Sequence, residues 1–349
     1  MKSSQGPDKG TALFSGRHAS MVDMVADKAV PASLEAPHPQ PLNPLRVMAR
    51  LSPRHDIVRD GGGMPQSLGR IGTLEVRLAR TRQDIRRAQR LRFKVFFKEM
   101  SATPDARAFV SRRDIDPYDR ICDHLIVIDH AGKISRFGKV RPKVVGTYRL
   151  LRGDVAAAHG SDFYTAGEYD LAPMLAAFSG ARMLELGRSC VLKPYRGKRI
   201  VDLLWQGLLA YIRHHRVELV FGCASFEGVA PRQHAEALAF LHHTALMPEA
   251  GRVKAHPWNN VPMHGLEKDT LDIKRALKAL PPLIKGYMRL GARFGEGAVI
   301  DRAFGTTDVF VMMRVDAIDA RYLNHYGDMA GDPAISASMP SLKLGQTNS

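Results

Sequence analysis

A carboxylate and an arginine stand close together in one strongly patterned stretch of the chain, residues 183–205. Glu185 is flanked by Leu184 and Leu186, as expected for a carboxylate on a buried strand. Burial raises the pKa of a carboxyl group and lets it accept a proton near neutral pH. Glu185 is therefore a candidate general base, while an ion pair with Arg188 that only shapes the strand is the alternative.

Three cations follow in the same stretch, where a strand gives way to a helix. Pro194 ends the strand because it lacks a backbone donor, and Arg196, Lys198 and Arg199 come next. Apolar residues then recur at helical spacing, at positions 200, 203, 204, 208, 211 and 212. Because a helix N-terminus attracts anions, this point predicts a site for a pyrophosphate or for the phosphate of phosphopantetheine. A solvated basic surface is the alternative.

More charged candidates lie outside that stretch. Arg92 and Phe96 are one helical turn apart, and Asp116 and Asp119 stand just before a predicted strand. The two acids could hold a cationic substrate or simply cap and solvate a loop. Arg92 and Arg149 could pair with a substrate carboxylate or with those same acids.

The three cysteines, Cys122, Cys190 and Cys223, are far apart and have strand-like flanks. We interpret them as reduced core residues, because no histidine is placed to activate Cys190 for a covalent acyl-enzyme. The histidines on helical stretches, at positions 214, 215, 242 and 243, have no ligand-type partners nearby. We therefore predict no metal site.

Composition restricts the class of protein. The chain has 349 residues, of which 45% are hydrophobic, as in a globular protein. A net charge of +16 favours acidic partners such as an acidic carrier protein, an anionic membrane or nucleic acid. Nucleic acid is the weakest of these, because aromatic residues make up only 7% and do not alternate with basic ones. No apolar run approaches the roughly 20 residues that span a bilayer, so we expect a cytoplasmic protein.

Periodicity predicts a mixed sheet with helices on both faces, of the α/β (α+β) class. The predicted strands are residues 73–79, 122–129, 143–151, 183–192, 218–225 and 307–313, the second and third being paired as a hairpin. One predicted helix follows Thr81, which caps it, and a second follows the basic loop. Three more predicted helices occupy residues 233–243, 268–280 and 283–293. The last helix could lie on a membrane or pack on the core.

The strand, basic loop and helix of residues 183–205 resemble the way in which GNAT-type N-acyltransferases hold an acyl carrier. The typical loop of those enzymes reads Arg/Gln-x-x-Gly-x-Gly/Ala. Arg196 fits this pattern, while Arg199 and Val201 replace the small residues, which suits a carrier protein better than free coenzyme A. The resemblance implies direct acyl transfer, with oxyanion donors at a bulge near residues 188–191.

The wider set of charged residues resembles that of the acyl-homoserine lactone synthases, which acylate S-adenosylmethionine. Thr103, however, stands where that family has a tryptophan. A closer resemblance is to the hemolysin-like bacterial ornithine N-acyltransferases, through LGRSCVLKPYRGKRIVDLLWQGLLAYIRHH, FGCASF and LPPLIKGYMRLGARFGEGAVIDRAFGTTDVFVMM. It implies transfer of a 3-hydroxyacyl group from acyl carrier protein to the α-amine of L-ornithine, giving lyso-ornithine lipid.

These resemblances lead to one set of assignments. We expect a catalytic role for Glu185 and Arg188; binding of the acceptor by Arg92, Phe96, Asp116, Asp119 and Arg149; and binding of the carrier phosphopantetheine by Arg196, Lys198 and Arg199. We expect no bound cofactor, because the acyl carrier thioester is a substrate, and only peripheral contact with the inner membrane.

We expect a GNAT-like core in residues 71–250 and a C-terminal extension packed on it in residues 251–327. Residues 1–70 and 328–349 are predicted to be disordered tails. Two alternatives stay open: an enzyme like the homoserine lactone synthases, and a non-catalytic basic protein that binds lipid or membrane. The choice of acceptor would separate the first of these from an ornithine acyltransferase.

Overall fold

A computed structural model of the protein describes residues 63–100, 102–131 and 141–319. Most of the first predicted tail, and all of the second, lie outside the described residues. The strands are β1 Gly69–Ile71, β2 Leu74–Leu78, β3 Asp123–Asp129, β4 Lys143–Arg152, β5 Tyr169–Asp170, β6 Met183–Val191, β7 Leu219–Glu227, β8 Lys254–Ala255, β9 Asn260–Val261, β10 Arg293–Asp301 and β11 Thr306–Arg314. They form one sheet in the order β1-β2-β3-β4-β6-β7-β11-β10-β8-β5, and β9 pairs with β10.

Helices connect these strands. They are α1 Arg82–Lys94, α2 Ala106–Ser111, α3 Gly153–Ala158, α4 Ala172–Ala177, α5 Lys198–His214, α6 Ala235–Ala245, α7 Ile273–Ala279 and α8 Pro282–Arg289. Among the described residues, no helix combines the length and the apolar character that crossing a membrane requires.

The sheet is mixed, as the sequence predicts. Strands β3 and β4 form the expected antiparallel hairpin, and β6 and β7 run parallel. Strand β10 was not predicted, because the helical pattern was extended through Arg293; helix α8 ends at Arg289, and Arg293 opens β10. The short helix α2 is likewise absent from the predicted helices. Propensity and spacing discriminate poorly in such short segments.

Helix α1 begins where the sequence predicts. The side chain of Thr81 accepts the N–H of Asp84, whose carboxylate returns toward the N-cap in a reciprocal capping box. After Lys94 the chain continues through one wider π-helical turn, Val95–Glu99, instead of ending. That turn brings Phe96 beside the functional pocket described below.

Helix α5 packs closely on the sheet. A Cβ on Gly207 would come within 2.7 Å of Val76 and 2.9 Å of Leu125, so only glycine allows this approach. Ile200 lies against Gly146 of β4. Arg149 stands three residues further along β4 and therefore projects from the opposite face, toward α1.

The C-terminal strands continue the sheet. Strand β11 pairs with β7 along its whole length, from Thr306↔Glu227 to Arg314↔Leu219. Helix α8 packs inward through Ile284 and Tyr287, which are both buried. The division of the chain into a core and an extension remains a prediction.

Candidate active site

The sheet opens between its two central parallel strands. Within the described part of the chain, β6 and β7 pair only from Met183↔Leu219 to Leu186↔Gly222. Beyond these pairs lies a cavity of about 520 Å³, which is lined by the outer halves of both strands and by α5, α8 and β11. A pocket of this size, with convergent polar groups at a split in a sheet, is suited to a substrate.

A bulge in β6 forms part of the cavity wall. Strand β4 pairs through Thr147↔Cys190 and Arg149↔Gly187, so β6 carries one extra residue between these pairs. Arg188 occupies the bulge with φ of 52°, a left-handed conformation that is unusual for arginine. The predicted bulge is therefore present, and its role in oxyanion binding stays a prediction.

Arg92 is fully buried and surrounded by acids. Its guanidinium holds both carboxylate oxygens of Asp119, with Nη1–Oδ1 of 2.8 Å and Nη2–Oδ2 of 2.7 Å. Its Nε lies 2.8 Å from Oδ2 of Asp114, and its Nη2 donates to the carbonyl of the same residue. Burial raises the pKa of Asp119, but the charge of Arg92 outweighs that effect and holds the pKa well below its usual value. Bidentate pairing of this kind fixes both partners.

Arg149 and Arg188 complete this network through Asp116. The two oxygens of Asp116 lie 3.0 Å from Nη1 of Arg149 and 2.8 Å from Nη2 of Arg188. Arg188 also lies 3.3 Å from Asp114. Burial acts to raise the pKa of Asp116, and the two guanidinium charges overcome it and lower that pKa. The backbone of the bulge is thus anchored by ion pairs.

The structure therefore brings four of the five predicted acceptor-binding residues together, but it pairs them with one another. Arg92, Asp116, Asp119 and Arg149 are all buried and all engaged in this network. Their binding roles remain predictions, and their contacts fit a scaffold for Arg188. Asp114 was missed, although its place two residues before Asp116 in RDIDPYDR could have indicated it.

Aromatic rings cover the exposed side of this network. Phe96, the fifth predicted residue, is buried and packs edge to face on Phe304 with ring centroids 5.3 Å apart. The guanidinium of Arg188 lies 4.6 Å from the ring centre of Phe304 and 4.9 Å from that of Tyr164. Tyr164 and Phe304 were not predicted, because nothing in their local sequence links them to β6.

Glu185 lies on the cavity wall and holds a turn. Its carboxylate accepts the backbone N–H groups of Tyr164 at 2.9 Å and Thr165 at 2.7 Å. Burial raises the pKa of Glu185, against the opposing effect of these hydrogen bonds. The residue thus positions the turn that carries Tyr164, and its predicted role as a base is not tested by these contacts.

The basic loop lies at the N-terminus of α5. Its N-cap is Gly197, which offers no side chain to the first N–H groups of the helix. Arg196 lines the cavity, donates to the carbonyl of Val191 and pairs with Glu99 at 2.9 Å. Lys198 and Arg199 are exposed. These three residues fit an anion site, and their binding role remains a prediction.

Three further carboxylates line the same cavity and are not among the residues predicted from the sequence. Glu168, Asp301 and Asp308 each place one oxygen within 4.8 Å of the other two. Burial and the two aspartates raise the pKa of Glu168 to about 8, and burial raises the pKa of Asp308 to about 6. Asp301 and Asp308 lie on the hairpin of β10 and β11, whereas Glu168 lies far away in the chain, so no local motif marks all three. We call them the acidic cluster.

Cys190 behaves as a core thiol. It is 7% exposed, and burial raises its pKa to about 12. A thiol with such a pKa is protonated at neutral pH and is a weak nucleophile. The geometry therefore supports the interpretation of Cys190 as a packing residue.

Comparison with known proteins identifies the family. A protein of Agrobacterium fabrum named L-ornithine N(alpha)-acyltransferase is 49% identical over 280 residues, which cover 80% of this chain and 93% of the relative. The chain belongs to the L-ornithine N(alpha)-acyltransferase family. A relative of the same name from Rhizobium meliloti is 50% identical over 76% of this chain and 88% of its own length. These identities confirm the resemblance to the ornithine N-acyltransferases that was predicted from the sequence.

The fold assignment agrees with these matches. The family described as acetyltransferase (GNAT) domain matches residues 91–206, which run from the last turn of α1 to the first half of α5. Among solved structures, FeeM, an N-acyl amino acid synthase from uncultured soil microbes, is similar with a TM-score of 0.39 and 10% identity. That match covers 71% of this chain and 93% of FeeM. The family match and the named relatives agree with the predicted GNAT fold and acyltransferase class.

Proposed function

We propose that the protein transfers a 3-hydroxyacyl group from acyl carrier protein to the α-amine of L-ornithine. The observation that carries this proposal is the 49% identity along 93% of an L-ornithine N(alpha)-acyltransferase. The product is lyso-ornithine lipid, an N-acylated amino acid. The split sheet supports the proposal because it offers one cavity in which a thioester and an amine can meet.

The acyl donor fits the apolar part of the cavity. Leu204, Trp205 and Leu208 of α5 line it together with Pro282 and Leu283. An acyl chain buried among such side chains gains about 0.8 kcal/mol per methylene group. The cavity therefore favours a long-chain donor over an acetyl group.

The phosphate of the donor's phosphopantetheine arm is assigned to the N-terminus of α5. Arg196 supplies a charge at the cavity, and the exposed Lys198 and Arg199 face the solvent from which an acidic carrier protein would approach. A chain with a net charge of +16 attracts such a partner at long range and speeds the encounter. The loop lacks the small residues typical of coenzyme A loops, which also favours a carrier protein.

The chemical step needs few groups. The neutral α-amine attacks the thioester carbonyl carbon and forms the C–N bond, and the C–S bond breaks. The nitrogen loses one proton in this step, and the departing pantetheine thiolate takes up one proton and leaves as a thiol. The developing oxyanion is assigned to backbone N–H groups of the bulge around Arg188, which the ion-pair network holds in place. Glu185, on the cavity wall, is the predicted acceptor of the amine's proton.

The first test is an assay of the purified protein with 3-hydroxyacyl carrier protein and either L-ornithine or S-adenosylmethionine, followed by mass spectrometry. We expect N-acylornithine and no acyl-homoserine lactone. Acylation of S-adenosylmethionine instead would place the protein with the homoserine lactone synthases. Tight binding of carrier or lipid, without any product, would favour a non-catalytic binding protein.

The role of Glu185 is tested by Glu185→Gln. If Glu185 is the base, turnover falls by about 100-fold or more, while the KM for the acyl carrier changes little. In the variant, the side-chain NH2 of the glutamine would face the backbone N–H of Tyr164 or Thr165, and one hydrogen bond would be lost. The unfolding temperature is therefore measured as well. Full activity across a broad pH range would remove Glu185 as the base.

Contact with the inner membrane is a further part of the proposal. Ile273, Leu277 and Leu283 are exposed on α7 and α8, with Lys274 and Lys278 beside them. Apolar side chains next to lysines suit the surface of an anionic membrane. Co-sedimentation with anionic but not with neutral vesicles would support this contact; no sedimentation with either would oppose it.

A further inference from the structure

We infer that the acidic cluster of Glu168, Asp301 and Asp308 is a subsite for the side-chain ammonium group of the acceptor amino acid. The inference deepens the proposed function and rests on it. It assigns the preference for a basic amino acid to residues outside the predicted site.

No lysine, arginine or histidine of the described residues forms an ion pair with the acidic cluster. The charge of Arg188 acts on it only weakly, as the smallest of the effects on the pKa values of Glu168 and Asp308. Asp308 is 7% exposed, lines the cavity, and its Oδ1 has no hydrogen-bond partner in the part of the chain that the structure describes. Leaving a buried acceptor unsatisfied is costly, so this oxygen is suited to a ligand's donor.

The other two carboxylates leave room for a ligand as well. Asp301 uses Oδ1 to accept the N–H groups of Ala303 and Phe304 in the turn after β10. Glu168 accepts only the weak S–H donor of Cys223, at 3.5 Å, among the side-chain contacts that the structure gives it. Among the described residues, Oδ1 of Asp308 is thus left without a hydrogen bond beside two partly engaged carboxylates that line the same cavity.

The chemistry of the acceptor supplies the missing charge. The α-amine must lose its proton before it attacks, whereas a primary amine on an alkyl side chain keeps its proton near neutral pH, with a pKa of about 10.4. A basic amino acid therefore carries one lasting ammonium group into the cavity. An ammonium group with three N–H donors fits three convergent carboxylates.

The cluster is also close to the reaction centre. Phe304, whose N–H is bound by Asp301, stacks on Arg188 at 4.6 Å, and Arg188 forms the bulge. A short side chain such as that of ornithine would therefore place its two nitrogens at the bulge and at the cluster.

The test compares L-ornithine with L-norvaline, which has the same carbon chain but no side-chain amine. The full-length wild type is assayed beside Asp308→Asn, with Asp154→Asn as a matched control on an exposed carboxylate outside the cavity. We expect wild type and Asp154→Asn to prefer ornithine in kcat/KM by about 100-fold or more, and Asp308→Asn to reduce that preference by about tenfold or more. An unchanged preference in Asp308→Asn, or none in the wild type, would overturn the inference.

Two additional readouts separate the other outcomes. If no amino acid is acylated, the proposed function fails; calorimetric binding of ornithine but not of norvaline to the wild type would still support the subsite, and equal binding would overturn it. If Mg²⁺ or Mn²⁺ raises the unfolding temperature of the wild type but not of Asp308→Asn, and chelation abolishes turnover, the cluster is a metal site and the inference is wrong.

Discussion

Two groups of three carboxylates approach Arg188, and they differ in what neutralises them. Asp114, Asp116 and Asp119 are buried against Arg92, Arg149 and Arg188, with a cation for each acid. The acidic cluster faces the cavity without an ion pair from the described residues. The pKa values reflect this contrast, since those of Asp116 and Asp119 are lowered, while those of Glu168 and Asp308 are raised.

The difference separates a scaffold from a binding site. Buried ions with protein counterions are already neutralised, so they fix geometry and have little left to offer a ligand. Asp308, the buried member of the acidic cluster, has no ion pair from the described residues, so its charge is held at a cost that a proton or a cationic ligand relieves. We therefore interpret the paired group as support for the bulge and the unpaired group as a receptor for substrate charge.

The largest effect is expected from removing a cation of the paired group. Arg92→Leu leaves Asp119 buried without its main partner, so we expect a loss of about 3–5 kcal/mol in the free energy of unfolding. The measurement is denaturant unfolding followed by circular dichroism. Arg70→Ala is the control, because the side chain of Arg70 is 63% exposed in its pair with Glu75 and the loss should stay below about 1 kcal/mol. Equal losses of stability in Arg92→Leu and Arg70→Ala would contradict the interpretation of the paired group as a scaffold.

The acidic cluster should make the stability of the protein depend on pH. Glu168 holds its proton up to about pH 8 in the folded protein but only to its ordinary value of 4.5 when unfolded. The folded state then binds more protons between these values, so stability falls as pH rises through that window. The titratable and charged groups that interact with Glu168 are Asp301, Asp308, Cys223, Arg188, Tyr164 and Tyr169.

Glu168→Gln should remove most of this fall in stability. The check is the free energy of unfolding of wild type and variant at pH values from 5 to 8. In contrast, the stability supplied by Asp116 and Asp119, whose pKa values are lowered, is present above their ordinary value of 3.8 and is lost only as the pH falls below it. If the free energy of unfolding changes with pH in the same way in wild type and Glu168→Gln, Glu168 has an ordinary pKa and is exposed to water.

A smaller effect is expected at the loop before α5, whose cations serve a partner and not the core. Arg196→Ala combined with Arg199→Ala should raise the KM for the acyl carrier by about tenfold at low salt and less at high salt, because surface charges are screened. A double variant of the exposed Arg90 and Arg232, which lie outside the cavity lining, serves as the control. An unchanged KM would exclude docking of the carrier at this loop.

Much of the fold could be predicted because its signals are local. The capping box of Thr81 and Asp84 and the apolar periodicity of α5 are encoded within a few residues. Strand β10 was not predicted because the helical pattern was extended past Gly291, whose left-handed φ of 82° follows the end of α8. Pairing with β11 then decides the structure of the residues that follow. Tertiary pairing overrides local preference in such segments.

The site was only partly predictable for the same reason. Individual candidates such as Arg188 could be found from spacing, yet whether an acid is paired depends on which distant residues meet it. Asp116 meets its partners 33 and 72 positions away. Glu168 and Asp308 come together through the sheet, with no shared motif. The difference between scaffold and receptor is therefore a property of the fold.

The most direct test of the central claim compares two identical substitutions, Asp119→Asn in the paired group and Asp308→Asn in the acidic cluster. The free energy of unfolding of each is measured at pH 8, where both carboxylates are charged in the wild type. Our account predicts that Asp119→Asn loses about 3 kcal/mol or more, whereas Asp308→Asn is as stable as the wild type or more stable. An equal loss in both variants would contradict it, because Asp308 would then be a scaffold residue as well.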